Sequence, residues 1–331
     1  MNILEVEGLK TYFYTLRGIV KAVDGVSFTL KKGETMGLAG ESGCGKSTVA
    51  WSLLGLVPPP GRIVSGSIRI DGMDITKMTE AEIREKIRWK KISMVFQGAM
   101  NALSPVHKVG DQITEPLIIH KGLNKEVAWR RAESIIKQVG LTPDILNRYP
   151  HELSGGQKQR VVIAMALIME PDIIIADEPT TALDVIVQGQ ILNLLKKINW
   201  EHGVSIIFIS HDLSVIAEMS DKVAIMYAGK IVEMGPAEAI FKEPTHPYTQ
   251  ALIKAIPKLR GPKEKLAYIP GQPPDLRAPP KGCRFAPRCP FAWDKCTREE
   301  PPDVEVADGH ISKCWLNLEE YKSRRATAQA Y

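Results

Sequence analysis

Apolar runs without interruption and runs that alternate divide this chain before any single residue is considered. DIIIA at 172–176 and VSIIFIS at 204–210 lack alternation, and a strand without a polar face needs cover on both sides. Both read as strands of a parallel sheet flanked by helices. VKAVDGVSFTL (20–30) and GSIRIDGMDI (66–75) read as strands of an antiparallel portion, with a glycine-rich loop between them. KEVAWRRAESIIKQVG (125–140) shows apolar residues at helical spacing and ends on a glycine, which places a helix-rich insert between about Met100 and Tyr149. Such a mixture predicts an α/β fold over roughly residues 1–256.

The texture then changes. Eleven of the 23 prolines fall between Pro257 and Pro302, and proline fixes φ and removes a backbone donor, so long helices and central strands are not expected there. NLEEYKSRRATAQAY (317–331) reads as a short helix fraying into a polar tail. The chain is thus expected to hold a large domain, 1–256, and a smaller extension, 257–331.

Composition narrows the classes. A chain of 331 residues can bury a substantial core. Its 43 Lys and Arg against 38 Asp and Glu leave +5, too mild to argue for nucleic acid or a membrane surface. MNILEVEGLKTYFY has no basic stretch ahead of an apolar one, so it is not a secretory signal. The longest apolar run, VVIAMALIM at 161–169, is far short of the ~20 residues of a spanning helix. A soluble, cytosolic chain is expected, and there clustered cysteines are metal ligands more often than disulfides.

Three motifs carry chemistry. GESGCGKST (40–48) follows the strand-like ETMGLA and precedes the helix-like TVAWSLLGL, the setting of a phosphate loop. Its glycines let backbone N–H groups point into one concavity at a helix N-terminus; Lys46 neutralises β- and γ-phosphate charge, and the Ser47 hydroxyl can ligate Mg²⁺. In DIIIADEP (172–179), Asp177 and Glu178 stand at the carboxyl end of a buried strand, where α/β sheets place their sites. Asp177 suits Mg²⁺ held through water, and Glu178 suits the orientation or deprotonation of an attacking water. LSGGQKQR (153–160) opens a helix whose serine and glycines can offer donors to an anion.

This last motif resembles the signature of ATP-binding cassette ATPases. The resemblance covers about residues 1–256, with Gln97 in VFQ, TALD at 181–184 and His211 in ISHD in the family's order. It implies a P-loop fold of cassette type: a RecA-like parallel-sheet core, an antiparallel β subdomain and a helical subdomain at about 98–160. It implies ATP held by Gly40, Glu41, Ser42, Gly43, Cys44, Gly45, Lys46, Ser47 and Thr48, and Mg²⁺ held through Ser47, Gln97 and Asp177. Glu178, His211 and Gln97 take the catalytic roles. Ser154, Gly155, Gly156 and Gln157 meet the nucleotide of a second cassette subunit, so ATP binding closes a dimer and hydrolysis opens it. Tyr12 matches the aromatic that stacks on adenine, with Phe13 and Tyr14 close enough to compete; core packing is the other role open to these rings.

The tail adds a narrower resemblance. EPTHPYTQALIKAIP (243–257), PGQPPDL, GCRFAPRCPFAWDKC (282–296) and ISKCWL are similar to the C-terminal extension of the ATPase subunits of oligopeptide, dipeptide and nickel importers of bacteria and archaea. That implies a peptide importer, with two membrane permeases, an extracytoplasmic peptide-binding protein, a place on the cytoplasmic face of the membrane, and no nucleic acid. Cys283, Cys289, Cys296 and Cys314 are separated by five, six and seventeen residues, which matches neither a tight zinc knuckle nor a familiar ferredoxin run. Spacing leaves the metal open; the resemblance implies a [4Fe-4S] cluster, with Zn²⁺ as the alternative. Arg284 and Arg288 flank two of these cysteines, where their charge is expected to offset that of a cluster.

Overall fold

The computed structural model describes residues 1–98, 102–255, 269–321 and 323–324. The chain divides into two compact units: Met1–Glu5, Thr29–Thr35 and Arg69–Ile209 form one, and Val6–Phe28, Met36–Ile68 and Ser210–Tyr331 the other. Its strands in chain order are β1 (Asn2–Thr15), β2 (Gly18–Lys31), β3 (Thr35–Ala39), β4 (Gly61–Ile70), β5 (Met73–Asp74), β6 (Ile92–Val95), β7 (Ile173–Asp177), β8 (Ser205–Ile209), β9 (Lys222–Tyr227), β10 (Lys230–Pro236), β11 (Val304–Ala307) and β12 (His310–Ser312).

In the first unit β6, β7 and β8 run parallel, with Ile92 opposite Ile173 and Ile173 opposite Ser205. Every residue of β7 and β8 is buried, the physical reason their apolar runs carry no alternation. Helices Val109–Lys121, Lys125–Gln138, Gly155–Leu167 and Val185–His202 complete the unit. The expected helix-rich insert is present; its residues Ala99, Met100 and Asn101 lie outside the described residues. Asn124 caps the second helix through its Oδ1, 2.9 Å from the Val127 N–H. That helix stops at Gly140, whose φ of 75° is left-handed. The N–H groups of Gly140 and Leu141 return to the carbonyls of Lys137 and Ile136, at 3.0 Å each, and satisfy the helix end.

GSIRIDGMDI, expected as a strand, is instead the end of β4 turning into β5, with Arg69 opposite Asp74 and Ile70 opposite Met73. Asp71 and Gly72 both have positive φ, 49° and 77°, as a two-residue turn between right-twisted strands requires.

In the second unit the strand order is β11-β12-β10-β9-β3, with β3 parallel to β9 and the other pairs antiparallel. VKAVDGVSFTL lies within β2, as expected. The proline-rich part has no long helix and no strand among its described residues; β11 and β12 follow Pro302, and β12 sets Ser312 opposite Glu233 and Ile311 opposite Met234. Strands of three and four residues leave too short a pattern to be read ahead of the fold. Of the terminal helix expected at 317–331, the described residues hold a 3₁₀ turn, Glu319–Tyr321, and helical Ser323 and Arg324; Lys322 and residues 325–331 lie outside the described residues.

Nor is the extension poor in core. Phe285 stands 5.3 Å, ring to ring, from both Tyr227 of β9 and Tyr248 of the helix Pro247–Lys254, and all three are fully buried. Three aromatics bury enough apolar surface to anchor a segment that prolines keep irregular.

Candidate functional site

In the second unit β3 ends at Ala39, the loop 40–45 follows, and the helix Lys46–Leu53 begins. Two of the loop's glycines are required by room and by conformation together. Gly40 has φ 147°, and a Cβ there would lie 2.1 Å from the Met226 carbonyl oxygen; Gly45 has φ 109°, and a Cβ there would lie 2.3 Å from the Ala22 carbonyl oxygen. No side chain caps the helix and no acidic residue stands in its first turn, so its positive end is left to the loop. Lys46 is buried, and its Nζ donates to the carbonyls of Gly40 at 2.7 Å and Glu41 at 3.2 Å. Cys44 fills space under the loop, its thiol pushed up by burial.

The acid pair lies in the first unit. Asp177 ends β7 opposite Ile209 and is buried. Glu178 follows with φ 47°, a left-handed conformation uncommon for a glutamate and of the kind found where a side chain must be aimed. Its N–H donates to Ile209 O at 2.9 Å, while its Oε2 accepts from Gln97 Nε2 at 2.9 Å and Thr181 Oγ1 at 3.0 Å. The pairing of β6 with β7 brings Gln97, two residues past β6, to Glu178.

Other members of the predicted set have local duties. Ser154 caps the helix Gly155–Leu167: its Oγ accepts from the Gln157 N–H at 3.3 Å, and Gln157 Oε1 accepts from the Ser154 N–H at 2.9 Å. A Cβ on Gly156 would fall 2.8 Å from Val187, so only glycine admits the helix Val185–His202 this closely. Asp184 of TALD caps that helix, its Oδ1 3.0 Å from the Val187 N–H. His211 is exposed, two residues past β8.

The three aromatics separate by contact. Phe13 lies where a Cβ on Gly61 would touch its ring at 2.6 Å, and Tyr14 is covered by Arg62, 4.2 Å above its ring centre. Tyr12 donates its hydroxyl to Asp24 Oδ1 at 2.6 Å, and burial followed by that bond pushes its phenol above the ordinary range.

Cys283, Cys289, Cys296 and Cys314 line one small cavity walled by apolar side chains, among them Phe285, Phe291, Trp293 and Trp315. None is bridged to another. Burial pushes the thiols up, to about 11 for Cys283 and about 12 for Cys289, and the thiolates' mutual repulsion adds to it. Against this, the backbone N–H groups of Phe285, Phe291 and Leu316, each two residues past a cysteine, hydrogen-bond to Cys283, Cys289 and Cys314 and favour the thiolate. A dry chamber whose amides face sulfur suits thiolates once a cation balances them. Among the described residues no group of three or more His, Cys, Asp or Glu is placed to hold a metal ion as the side chains stand.

The arginines beside the cysteines do not serve the sulfurs, contrary to expectation. Arg284 bonds to Asp24 and to the Ala228 carbonyl. Arg288 forms a two-pronged pair with Glu41, Nη1 to Oε2 at 2.7 Å and Nη2 to Oε1 at 3.0 Å. No sequence signal announced these pairs, whose partners are 260 and 247 positions apart.

Two family models match the chain: ABC transporter over residues 23–181, and oligopeptide/dipeptide transporter, C-terminal region, over 232–296. The dipeptide transport ATP-binding protein DppD of Bacillus subtilis is 48% identical over 319 residues, 95% of either chain. The Escherichia coli protein of the same name is 43% identical over 97% of this chain and 98% of its own, and the oligopeptide transport ATP-binding protein OppD of Haemophilus influenzae is 46% identical over 96% and 98%. Among solved structures, a dimeric bacterial ABC transporter cassette matches with a TM-score of 0.64 at 30% identity, over 71% of this chain and 98% of its own.

Proposed function

The chain belongs to the ATP-binding cassette ATPases that carry the oligopeptide/dipeptide transporter C-terminal region, and from that premise we propose that it is the ATP-hydrolysing, energy-coupling subunit of a peptide importer. The observation that carries this reading is a likeness of 43–48% identity running through cassette and extension alike, to proteins named for dipeptide and oligopeptide transport.

The site chemistry follows from the residues described. The amides of Gly40 to Thr48 and the helix end behind them take the β- and γ-phosphates, and Lys46 exchanges loop carbonyls for phosphate oxygens in stronger, charge-assisted bonds. Ser47, Gln97 and, through water, Asp177 would hold Mg²⁺, which supplies charge neutralisation at the transferring phosphoryl group. Glu178, aimed by Gln97 and Thr181, orients the attacking water and accepts its proton. His211 holds the γ-phosphate in the transition state, and Tyr12 stacks on adenine.

Ser154, Gly155, Gly156 and Gln157 meet the γ-phosphate bound by a partner cassette; the Ser154 Oγ only accepts in its cap, so its O–H is left to donate to the phosphate. The dimeric state of the solved cassette supports that arrangement. ATP closes the pair and hydrolysis releases it, a two-state switch driven by ligand. No helix among the described residues is long and apolar enough to cross a membrane, so the proposal assigns the path to two permeases, with this chain on the cytoplasmic face and a peptide-binding protein outside.

The four cysteines hold a metal centre in this reading, a [4Fe-4S] cluster or, as the alternative, Zn²⁺. The fit is the shared apolar chamber and the amides directed at three of the sulfurs. Anaerobic purification with assays for iron, sulfide and zinc decides between them: iron and sulfide together support the cluster, and zinc without iron overturns it. For the function, co-purification with permeases followed by phosphate release in vesicles is the test. The reading predicts release that rises when peptide-loaded binding protein is added; release indifferent to it would contradict an importer.

A further inference from the structure

We propose that Arg288 is a positioning residue for nucleotide binding, fixing the phosphate loop from the cysteine segment through Glu41, so that the extension is a working part of the ATP site. The inference rests on the nucleotide reading of residues 40–48 and goes beyond it by assigning part of the loop's shape to the far end of the chain.

Glu41, the second residue of the loop, is held from three sides. Its N–H donates to the Tyr248 hydroxyl at 3.0 Å, its carbonyl accepts from Lys46 Nζ at 3.2 Å, and its carboxylate takes both prongs of Arg288. The Lys46 bond and a second to the same carbonyl from the Cys44 N–H, at 3.2 Å, are local, whereas the Tyr248 and Arg288 bonds reach Glu41 from outside the loop. Arg288 is itself fixed: Nε donates to Pro270 O at 2.8 Å, Nη2 to Ile269 O at 3.2 Å and Nη1 to the Tyr227 hydroxyl at 3.3 Å, and its side chain is 5% exposed. A planar fork held at this many points is pre-organised, so it holds Glu41 at little further entropic cost.

Charge strengthens the argument. Glu41 places a carboxylate within a loop whose task is to bind an anion, and unpaired it would repel the phosphates. The paired guanidinium cancels that repulsion, and with Glu41 only a quarter exposed the pair is little screened. Arg284 makes a parallel tie: its bond to Asp24 meets the carboxylate that receives the Tyr12 hydroxyl. Arg288, which ends the 3₁₀ turn Ala286–Arg288, and Arg284, two residues ahead of that turn, thereby reach both ends of the proposed nucleotide contact.

The test is equilibrium titration of the full chain with a fluorescent ATP analogue and Mg²⁺, alongside steady-state hydrolysis. Arg288→Ala is expected to weaken ATP binding roughly tenfold, within the range of ordinary coupling energies, with KM raised far more than kcat is lowered. Glu41→Gln is expected to weaken binding severalfold alone and to cost nothing further when added to Arg288→Ala, because both changes break one interaction. Arg298→Ala, at an exposed position of the same segment, is the control and leaves affinity unchanged.

Unchanged affinity in Arg288→Ala, whatever its melting temperature, overturns the proposal, as do costs that simply add. If Arg288→Ala does not fold, Arg288→Lys decides: it keeps charge but not the fork, so intermediate loss supports positioning and wild-type affinity refutes it. Failure of the wild-type chain itself to bind ATP would refute the nucleotide reading instead.

Discussion

A methyl group on Gly40 would stand 2.1 Å from the Met226 carbonyl oxygen, at a φ of 147° that L residues avoid, so Gly40→Ala must distort the loop or β9. Gly43 is also left-handed, at φ 77°, but nothing lies within 4 Å of its Cβ direction. The expected outcome is a clear hierarchy: Gly43→Ala costs about 1 kcal/mol, the conformational penalty alone, whereas Gly40→Ala adds a collision and abolishes measurable nucleotide binding. Thermal unfolding and ATP titration of the two variants check this. The need for glycine at 40 was legible in the motif, because a phosphate loop demands fixed spacings. Arg288 was legible as a residue but not in its partner. A pair 247 positions apart leaves no local pattern, and the nearness of Arg288 to cysteines suggested the wrong one.

At the level of elements, the extension is locked to β10 by a buried carboxylate. Glu233 accepts from the Thr245 N–H at 2.6 Å, Thr245 Oγ1 at 2.8 Å, the His246 N–H at 3.1 Å and His310 Nε2 at 2.8 Å. Burial penalises its charge, yet the bonds from His310 and Thr245 outweigh that cost and hold it below the usual glutamate range. A carboxyl depressed in the fold contributes stability that is complete above its unfolded pKa and is lost as pH falls through the lower folded value. The extension is therefore expected to loosen below about pH 4.3, the unfolded reference for glutamate. Glu233→Gln should be less stable by about 2–4 kcal/mol at neutral pH, as removal of a buried charged acceptor costs, and should flatten the acid limb. Fluorescence of the tryptophans in the cysteine segment, followed through pH and heat, measures both effects. An acid limb as steep in Glu233→Gln as in the parent would assign the loss to other groups. The parallel strands were legible from their unbroken apolar runs, and VKAVDGVSFTL and GSIRIDGMDI as strand sequence, whereas the Asp71-Gly72 turn that ends β4 shows only in the fold. Strands β11 and β12 were not legible, because three or four residues that gain stability only by pairing, β12 with β10 and β11 with β12, show no periodicity of their own.

For the whole molecule, the chemistry is divided by design. In the proposed mechanism the phosphate loop binds, Glu178 and Gln97 activate water, and the signature helix serves another subunit's nucleotide, which would make one chain half an enzyme. Ser154 keeps its hydroxyl proton for that nucleotide, since its Oγ only accepts in the cap. The proposed division rests on the order of spaced motifs, since no single segment implies a dimer.

The most direct measurement of the central claim is Glu178→Gln, taken through two readouts on the same preparation, phosphate release and ATP-dependent association by light scattering, alone and with a co-purifying partner cassette. Removing the carboxylate that accepts the proton of water, while keeping an acceptor for Gln97, should reduce turnover at least 10²-fold. The account predicts that the silent variant still binds ATP and associates more durably than the parent, because the closed state is no longer dissipated. Retained hydrolysis, or a variant that binds ATP but associates with neither its own copy nor the partner cassette, would contradict it.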